Sequence, residues 1–206
     1  MTGPHTQAFW DARFKGDTYR FGETPNAFLT RQAGRLSPGQ SVLAVADGEG
    51  RNGVWMAEQG LDVHSIDISP VAVEKARRLA ARRGLSLDAQ VSDLLEWEWP
   101  QSAYDVAVAI FVQFAGPNWQ DRLFTGLKST VRPGGLIILE GYRPEQIAYG
   151  TGGPPDPANM YTPEMLKAAF ADFEVLELVA YDAELSEGDG HAGPSAVIDL
   201  VARRPN

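Results

Sequence analysis

The feature that most constrains the fold is an alternation of short apolar segments with helical segments between residues 41 and 142. The segments 41–45 and 105–112 are almost wholly apolar, and Gly, Pro and Asp bound them. The stretches between such segments carry apolar residues at helical spacing. Near-continuous apolar strands that alternate with helices predict a parallel sheet covered on both faces. With right-handed crossovers, the result is an α/β, doubly wound sheet.

The end of the chain follows a different pattern. Residues 143–161 are rich in Pro and Gly and show no periodicity, which predicts a long, functional or disordered loop. Two apolar segments, 173–185 and 195–204, then flank a turn at 188–190. They predict an antiparallel strand pair that brings the mostly parallel sheet to seven strands.

Composition excludes several kinds of site. The net charge is −9, and an acidic chain argues against nucleic acid or an anionic membrane as the partner. There is no cysteine, and the three histidines lack ligand spacing, so neither a disulfide nor a metal site is expected. No secretion signal or apolar run of spanning length occurs. We therefore expect a cytoplasmic protein, a monomer or homodimer, with no nucleic-acid and no membrane partner.

The first chemical motif is a glycine turn that directly follows the first predicted strand. Gly48, Gly50 and Gly53 form G-x-G-x-x-G at the start of a helix. Such a turn lets the backbone approach a ligand beside the unpaired N–H groups of the helix. The pattern also describes dinucleotide sites and simple strand–helix turns, so alone it leaves all three interpretations open.

The second motif is Asp67, which ends the second predicted strand 19 residues after Gly48 (67 − 48). A carboxylate in this position can accept hydrogen bonds from the two hydroxyls of a ribose. The adenosine of NAD and that of S-adenosylmethionine would satisfy it equally. Asp67 therefore favours a nucleoside ligand without choosing between them.

The third motif is Asp93, which follows the third predicted strand. With it, the ordered set of segments resembles the motifs of class I S-adenosylmethionine-dependent methyltransferases. The N-terminal and late segments are similar to a bacterial subfamily near the tellurite-resistance and thiol methyltransferases. The segments concerned are 19–29, 43–70, 91–97, 104–114, 127–142, 150–154 and 187–200. The resemblance implies a Rossmann-like methyltransferase fold in one domain, 1–206, with a helical cap (1–37), a cofactor-binding core (38–142), and a lid loop with the C-terminal strands (143–206).

The resemblance also implies a set of cofactor contacts. The backbone of the glycine turn would lie against the methionine part of S-adenosylmethionine, and Asp67 would bind the ribose. Asp93 and the Leu94 amide would meet the adenine, on which Ile68 packs. The implied cofactor-binding residues are Ala46, Asp47, Gly48, Gly50, Asp67, Ile68, Ser92, Asp93, Leu94 and Ile110.

The glycine turn departs from the family pattern. Ala44 stands where the family has an acidic residue, and Ala46 stands where it has the first glycine. Asp47 either replaces the missing carboxylate near the cofactor's amino group or satisfies local amides of the turn. Both roles remain open from the sequence.

Methyl transfer needs little acid catalysis, so acceptor-side residues are hard to identify from sequence. Positioning and desolvation of the nucleophile can supply much of the acceleration, and a base is needed only for a protonated acceptor. His191 is a candidate catalytic base because its ordinary pKa is suitable, although an exposed turn histidine is an equal alternative. Tyr142 is the second catalytic candidate. The candidate contacts to a small-molecule acceptor are Tyr19, Phe111, Gln113 and Tyr149.

Two other functions compete with a methyltransferase. The glycine turn and Asp67 also fit an NAD-dependent oxidoreductase. Ala44 and Ala46 also fit a non-catalytic cofactor-binding protein of the same fold. Asp93–Leu94, the Pro133–Gly135 turn and the final strand pair favour the methyltransferase over the oxidoreductase.

Overall fold

A seven-stranded sheet forms the centre of the computed structural model, which describes residues 6–206. The strand order is β3-β2-β1-β4-β5-β7-β6, and β1 to β5 run parallel. β7 pairs antiparallel with both β5 and β6. The predicted α/β class, the doubly wound sheet and the antiparallel pair are confirmed. The strands are β1 Ser41–Val45, β2 Asp62–Asp67, β3 Asp88–Val91, β4 Tyr104–Ile110, β5 Val131–Tyr142, β6 Glu174–Glu187 and β7 His191–Arg203.

Helices cover both faces of the sheet. They are α1 Gln7–Phe14, α2 Ala27–Arg31, α3 Arg51–Glu58, α4 Pro70–Arg82, α5 Pro117–Thr130, α6 Gln146–Tyr149 and α7 Pro163–Ala169, with 3₁₀ turns at Ala33–Arg35 and Pro157–Asn159. Side-chain caps begin several of them: Ser69 accepts from the N–H of Ala72 at α4, and Thr162 accepts from that of Met165 at α7.

Two apolar cores follow from the alternation of side chains along each strand. Leu43 and Val45 of β1 point into one core with Leu123 of α5. Val42 and Ala44 point to the opposite face, into the core that contains Leu79 of α4. Because both faces are covered, the inner strands are apolar along their whole length, as the sequence pattern indicates.

The structure differs from the sequence prediction mainly at element boundaries. β5 begins at Val131 rather than after the predicted Pro133–Gly135 turn, because Val131 already pairs with Tyr104 before the register shifts. The predicted unstructured loop 143–161 contains α6 and a 3₁₀ turn. The final strands extend to within three residues of each other, so His191 begins β7 instead of lying in the turn. Turn residues such as Gly193 conceal this extension in the sequence.

A buried ion pair fixes the N-terminal segment over the carboxyl edge of the sheet. Lys75 of α4 pairs with Glu49 of the glycine turn, and its Nζ also donates to the carbonyls of Phe14 at 3.2 Å and Thr18 at 2.6 Å. Glu49 Oε2 accepts from the backbone N–H of Arg20 at 2.7 Å. The segment that follows α1 is therefore attached to the glycine turn. Within residues 6–206, no helix has the length and apolar character needed to cross a bilayer.

Candidate functional site

A cavity of about 630 Å³ lies between the carboxyl edge of the parallel strands and the N-terminal segment. Its size is typical of small-molecule sites, which span roughly 300–1,000 Å³. Most residues proposed from the sequence line it together. They are Ala46, Asp47, Gly48, Asp67, Ile68, Ser92, Asp93, Leu94, Ile110, Phe111, Gln113, Tyr142 and His191.

The turn after β1 uses backbone conformations that favour glycine. Gly48 has φ +60° and Gly50 has φ +87°. Ala46 also lies in the left-handed region, with φ +48°, which costs a non-glycine residue about 1–2 kcal/mol. Gly50 lies outside the cavity lining, because it packs against α4: a Cβ at this position would be 2.5 Å from the Cβ of Ala76. Its position supports the turn without contacting a ligand in the cavity.

Asp67 is held rigidly at the end of β2. Its Oδ2 accepts from the N–H of Gly48, and its Oδ1 accepts from the N–H of Ser69, both at 2.9 Å. A carboxylate has about four acceptor sites, so each oxygen keeps capacity for another donor. Burial raises the pKa of Asp67 to about 6. The group is therefore a fixed, desolvated acceptor suited to hydroxyl donors.

Asp47 is engaged by its own turn. Its carboxylate accepts from the N–H of Gly53 at the start of α3 and from the hydroxyl of Ser65 at 2.9 Å. Burial raises its pKa to about 7. Of the two roles that the sequence leaves open, this geometry favours the satisfaction of local amides.

Asp93 follows β3 at the same edge of the sheet. Its Oδ1 accepts from the N–H of Leu95 at 2.9 Å, which fixes the loop after the strand. Ser92 is joined to β2 by its N–H, which donates to the carbonyl of Asp67 at 2.8 Å. The two carboxylates, Asp67 and Asp93, thus line one end of the cavity on adjacent strand ends.

A stack of rings lines the other end. The His191 ring lies between Phe21 and Phe111, with ring centroids 4.5 and 4.4 Å away. Tyr142 also packs on Phe111, and its hydroxyl is 2.5 Å from Nδ1 of His191. The two catalytic candidates are therefore in direct contact, and both line the cavity.

The electrostatics of this end keep both candidates neutral. Burial, then the positive charges of Arg51 and Arg20, lower the pKa of His191 to about 3. Burial and the nearby Glu187 and Glu140 raise the pKa of Tyr142 above its usual range. At neutral pH, His191 is therefore an uncharged hydrogen-bonding group, not a base poised near the working pH.

Gln113 has a positioning role at the cavity wall. Its Nε2 donates to the carbonyls of Tyr142 and Asn159, and its Oε1 accepts from the N–H of Tyr142 at 2.6 Å. Both amide hydrogens are therefore used by the backbone. Gln113 fixes the end of β5, on which Tyr142 stands.

Tyr19 and Tyr149 do not join the other candidates. The Tyr19 hydroxyl donates to the carbonyl of Lys75 at 2.9 Å, and its half-buried ring contacts the cations of Lys75 and Arg82 and packs against the core beside α4. Tyr149 is 38% exposed at the end of α6, near Asp182. Neither side chain lines the cavity, so both acceptor assignments lack support from the structure.

Sequence reasoning missed the ionic contacts that surround the ring stack. Arg51 Nη2 pairs with Glu187 Oε2 at 2.6 Å, and both side chains are more than nine-tenths buried. Glu187 also accepts from the Asn26 side chain at 3.0 Å and from the N–H of Ala27 at 3.2 Å. These residues are far apart in the chain, and no local pattern pairs them. Arg20, which lines the cavity with Arg51, was also not predicted.

Comparison with known proteins agrees with this architecture. Residues 42–135 match the family model described as a methyltransferase domain. The chain is 36% identical over 107 residues to a ribosomal protein L11 methyltransferase of Paraburkholderia xenovorans, covering 52% of this chain and 33% of that protein. Across the curated relatives that it matches, the chain spans between 22% and 50% of their length.

Solved structures show the same fold over nearly the whole chain. TehB from Haemophilus influenzae has a TM-score of 0.71 at 18% identity, covering 96% of this chain and 66% of that one. The N-methyltransferase NodS from Bradyrhizobium japonicum, in complex with S-adenosyl-L-homocysteine, also has a TM-score of 0.71 at 15% identity, covering 98% and 100%.

The topology and these matches together define a class I methyltransferase fold, within which residues 42–135 match the methyltransferase-domain model. The resemblance that the motifs indicate is confirmed in this fold. The cofactor of this class is S-adenosylmethionine. The antiparallel β7, inserted between β5 and β6, also differs from the 3-2-1-4-5-6 order of dinucleotide-binding sheets, which argues against the oxidoreductase alternative.

Proposed function

We propose that this chain transfers a methyl group from S-adenosylmethionine to a small-molecule acceptor by in-line displacement. One observation carries the proposal: a single cavity has paired carboxylates, Asp67 and Asp93, at one end and the ring stack of Phe21, His191 and Phe111 at the other. The carboxylates suit a nucleoside, and the ring stack suits a reacting centre shielded from water.

The described residues fit the cofactor. The positive φ angles of Ala46 and Gly48 turn the backbone sharply beneath the cavity, and a Cβ on Gly48 would already contact the Phe14 ring at 3.5 Å. Asp67 keeps acceptor capacity for ribose hydroxyls, and Ile68 and Leu94 supply apolar walls for an adenine. When bound, S-adenosylmethionine would supply a sulfonium methyl group, whose carbon is attacked in line by an acceptor lone pair while the C–S bond breaks and its electron pair stays on the leaving, neutral thioether sulfur.

The chain's own residues then act by placement. The N-terminal segment, fixed by Glu49 and Lys75, covers the cavity and limits the access of water. Phe21 and Phe111 hold the His191 ring, and Tyr142 fixes its orientation through the hydrogen bond at Nδ1. A neutral imidazole can hydrogen-bond an acceptor without carrying charge. Alignment and desolvation, rather than strong base catalysis, would supply most of the acceleration.

Cofactor binding tests the first half of the proposal. Calorimetric titration with S-adenosylmethionine, S-adenosylhomocysteine and NAD should show binding of the first two. Asp67→Ala should weaken that binding about tenfold to hundredfold, since hydrogen bonds to a charged group contribute about 1.5–3 kcal/mol. Asp62→Ala is the matched control, because Asp62 is an exposed aspartate at the opposite end of β2.

Turnover tests the second half. Formation of S-adenosylhomocysteine should be measured across thiols, amines, carboxylates, and selenium and tellurium oxyanions. Methylation of one or more of these classes, lost together with cofactor affinity in Asp67→Ala, supports the proposal. Binding of NAD alone contradicts it, and cofactor binding without any methyl transfer favours a non-catalytic protein of this fold.

A further inference from the structure

The cavity is rich in arginine for a chain with a net charge of −9: Arg13, Arg20 and Arg51 all line it. Two of them, Arg20 and Arg51, lie near enough to the His191 ring to lower its pKa. The carboxylates of Asp67 and Asp93 line the other end. The cavity therefore has positive groups beside the ring stack and negative groups at the opposite end.

Arg51 has a donor that the fold leaves unused. Its Nη2 pairs with Glu187, but its Nη1 is buried and has no hydrogen-bond partner within residues 6–206. The residue is 7% exposed. A buried guanidinium donor without a partner is costly, and native proteins rarely leave one without a ligand or water.

Arg20 provides a second unused donor in the same cavity. Its Nε is buried without a hydrogen-bond partner, and its guanidinium forms no ion pair in the described part of the chain. Arg20 and Arg51 both lie near enough to His191 to lower its pKa, so the two cations flank the ring stack. The donors and the aromatic walls thus belong to one chamber.

Neighbouring carboxylates offset only part of this positive charge. Glu187 forms an ion pair with Nη2 of Arg51, and its Oε1 accepts from Asn26 and Ala27, but Nη1 of Arg51 stays without a partner among the described residues. Asp189 also lines the cavity, but it is exposed at the rim, where water screens its charge. The single carboxylate of the cofactor can occupy one of the two unused donors, Nη1 of Arg51 or Nε of Arg20, which leaves the other as an anion-binding position beside the ring stack.

We propose that the methyl acceptor carries an anionic oxygen group, a carboxylate or a similar oxyanion, which binds to Arg51 and Arg20 beside the stack of Phe21, His191 and Phe111. This inference rests on the proposed function and specifies its substrate class. Guanidinium groups match carboxylate oxygens in geometry and charge. The flat aromatic walls accommodate an apolar or aromatic body on the same acceptor.

Matched anionic and neutral probes test the charge requirement directly. Benzoate against benzamide, and acetate against acetamide, should be titrated calorimetrically with and without S-adenosylhomocysteine. We expect each anion to bind at least about tenfold more tightly than its amide, since each charge-assisted hydrogen bond is worth about that factor or more. Equal affinity within both pairs overturns the inference.

Variants assign the effect to the two arginines. Arg20→Gln, and the charge-neutral pair Arg51→Met with Glu187→Gln, should each weaken benzoate about tenfold and leave benzamide unchanged. Arg122→Gln, on the exposed face of α5, is the matched control and should change neither. Arg20→Gln keeps the test valid should the buried double variant fail to fold.

The cofactor itself is the competing ligand for these cations. S-adenosylhomocysteine carries a carboxylate, whereas 5′-methylthioadenosine lacks the amino-acid part. The inference is wrong if the arginine variants weaken S-adenosylhomocysteine binding about tenfold but leave 5′-methylthioadenosine binding and the preference for benzoate over benzamide unchanged. In that case the two arginines bind the carboxylate of the cofactor. By contrast, wild-type protein that binds neither nucleoside refutes the proposed function, while the probes without cofactor still report on the anion site.

Discussion

The ion pair between Glu49 and Lys75 should make one of the largest single contributions to the stability of this fold. Their side chains are 2% and 1% exposed, and Lys75 Nζ also satisfies the carbonyls of Phe14 and Thr18. Lys75→Met would leave a buried carboxylate without its cation and two carbonyls without their donor. Breaking a buried pair from one side costs about 3–5 kcal/mol.

Thermal and urea unfolding measure this cost. For a chain of this size, each kcal/mol changes Tm by about 2–4 °C, so Lys75→Met should lower Tm by about 6–20 °C. Lys128→Met is the matched control, since Lys128 pairs with Asp172 at the surface, where side-chain exposures are 26% and 61%. That pair should contribute less than about 1 kcal/mol.

A double-mutant cycle separates the pair from the packing of the lysine stem. Glu49→Gln combined with Lys75→Met removes both charges, so the double variant should be more stable than Lys75→Met alone. A Lys75→Met cost near that of Lys128→Met would refute the reasoning. Strict additivity of the two single variants would also refute it, since it would mean that the charges do not interact.

Two further variants test the turn and the ring stack. Gly50→Ala should lower the free energy of unfolding in urea by about 1–3 kcal/mol more than Gly84→Ala does. Both glycines have positive φ, but only at Gly50 would the new Cβ meet Ala76, at 2.5 Å. Equal costs for the two variants would contradict this packing role. The pKa of His191 is about 3 in the folded protein and about 6.5 in the unfolded chain. As pH falls, the unfolded state therefore binds the proton first, and the protein loses stability below pH 6.5. Relative to His191→Gln, the wild type should lose about 2 kcal/mol in unfolding free energy between pH 7 and pH 5, and a pH-independent difference would show that His191 becomes charged in the folded protein.

The sheet and the end of the cavity that contains Asp67 and Asp93 could be predicted because they depend on short stretches of sequence. The apolar run at 41–45, the turn through Gly48 and the single Asp67 each have a local meaning, and parallel strands bring their carboxyl ends to one edge. One difference at this end is also local. The sequence predicts Gly50 as a ligand contact, but Gly50 does not line the cavity, and its absent side chain makes room for α4.

The end of the cavity with the ring stack depends on pairs of residues that no local pattern encodes. Arg51 meets Glu187 only because β6 extends to its full length and returns as β7, and the turn residues around Gly188 conceal that extension in the sequence. The same hairpin converts His191 from a predicted turn residue into a packed, neutral ring. The sequence predicts Tyr19 at the cavity because of its aromatic ring, but the ring contacts Lys75 and Arg82 of α4 and does not line the cavity.

One end of the cavity is predictable from sequence and the other is not, because the two ends are built from different kinds of contacts. A nucleoside needs fixed acceptors at strand ends, which a parallel sheet supplies from residues close in sequence. The chamber beside the ring stack is built instead from segments far apart in sequence: the N-terminal segment, the start of α3, Phe111 after β4, the end of β5, residues 151–155 and the final hairpin. Two of its arginine nitrogens, Nη1 of Arg51 and Nε of Arg20, have no hydrogen-bond partner within residues 6–206. Substitutions in the hairpin that keep Glu187 should therefore change acceptor preference more readily than cofactor affinity, because Asp67 ends β2 and Asp93 follows β3, and the hairpin pairs with neither strand.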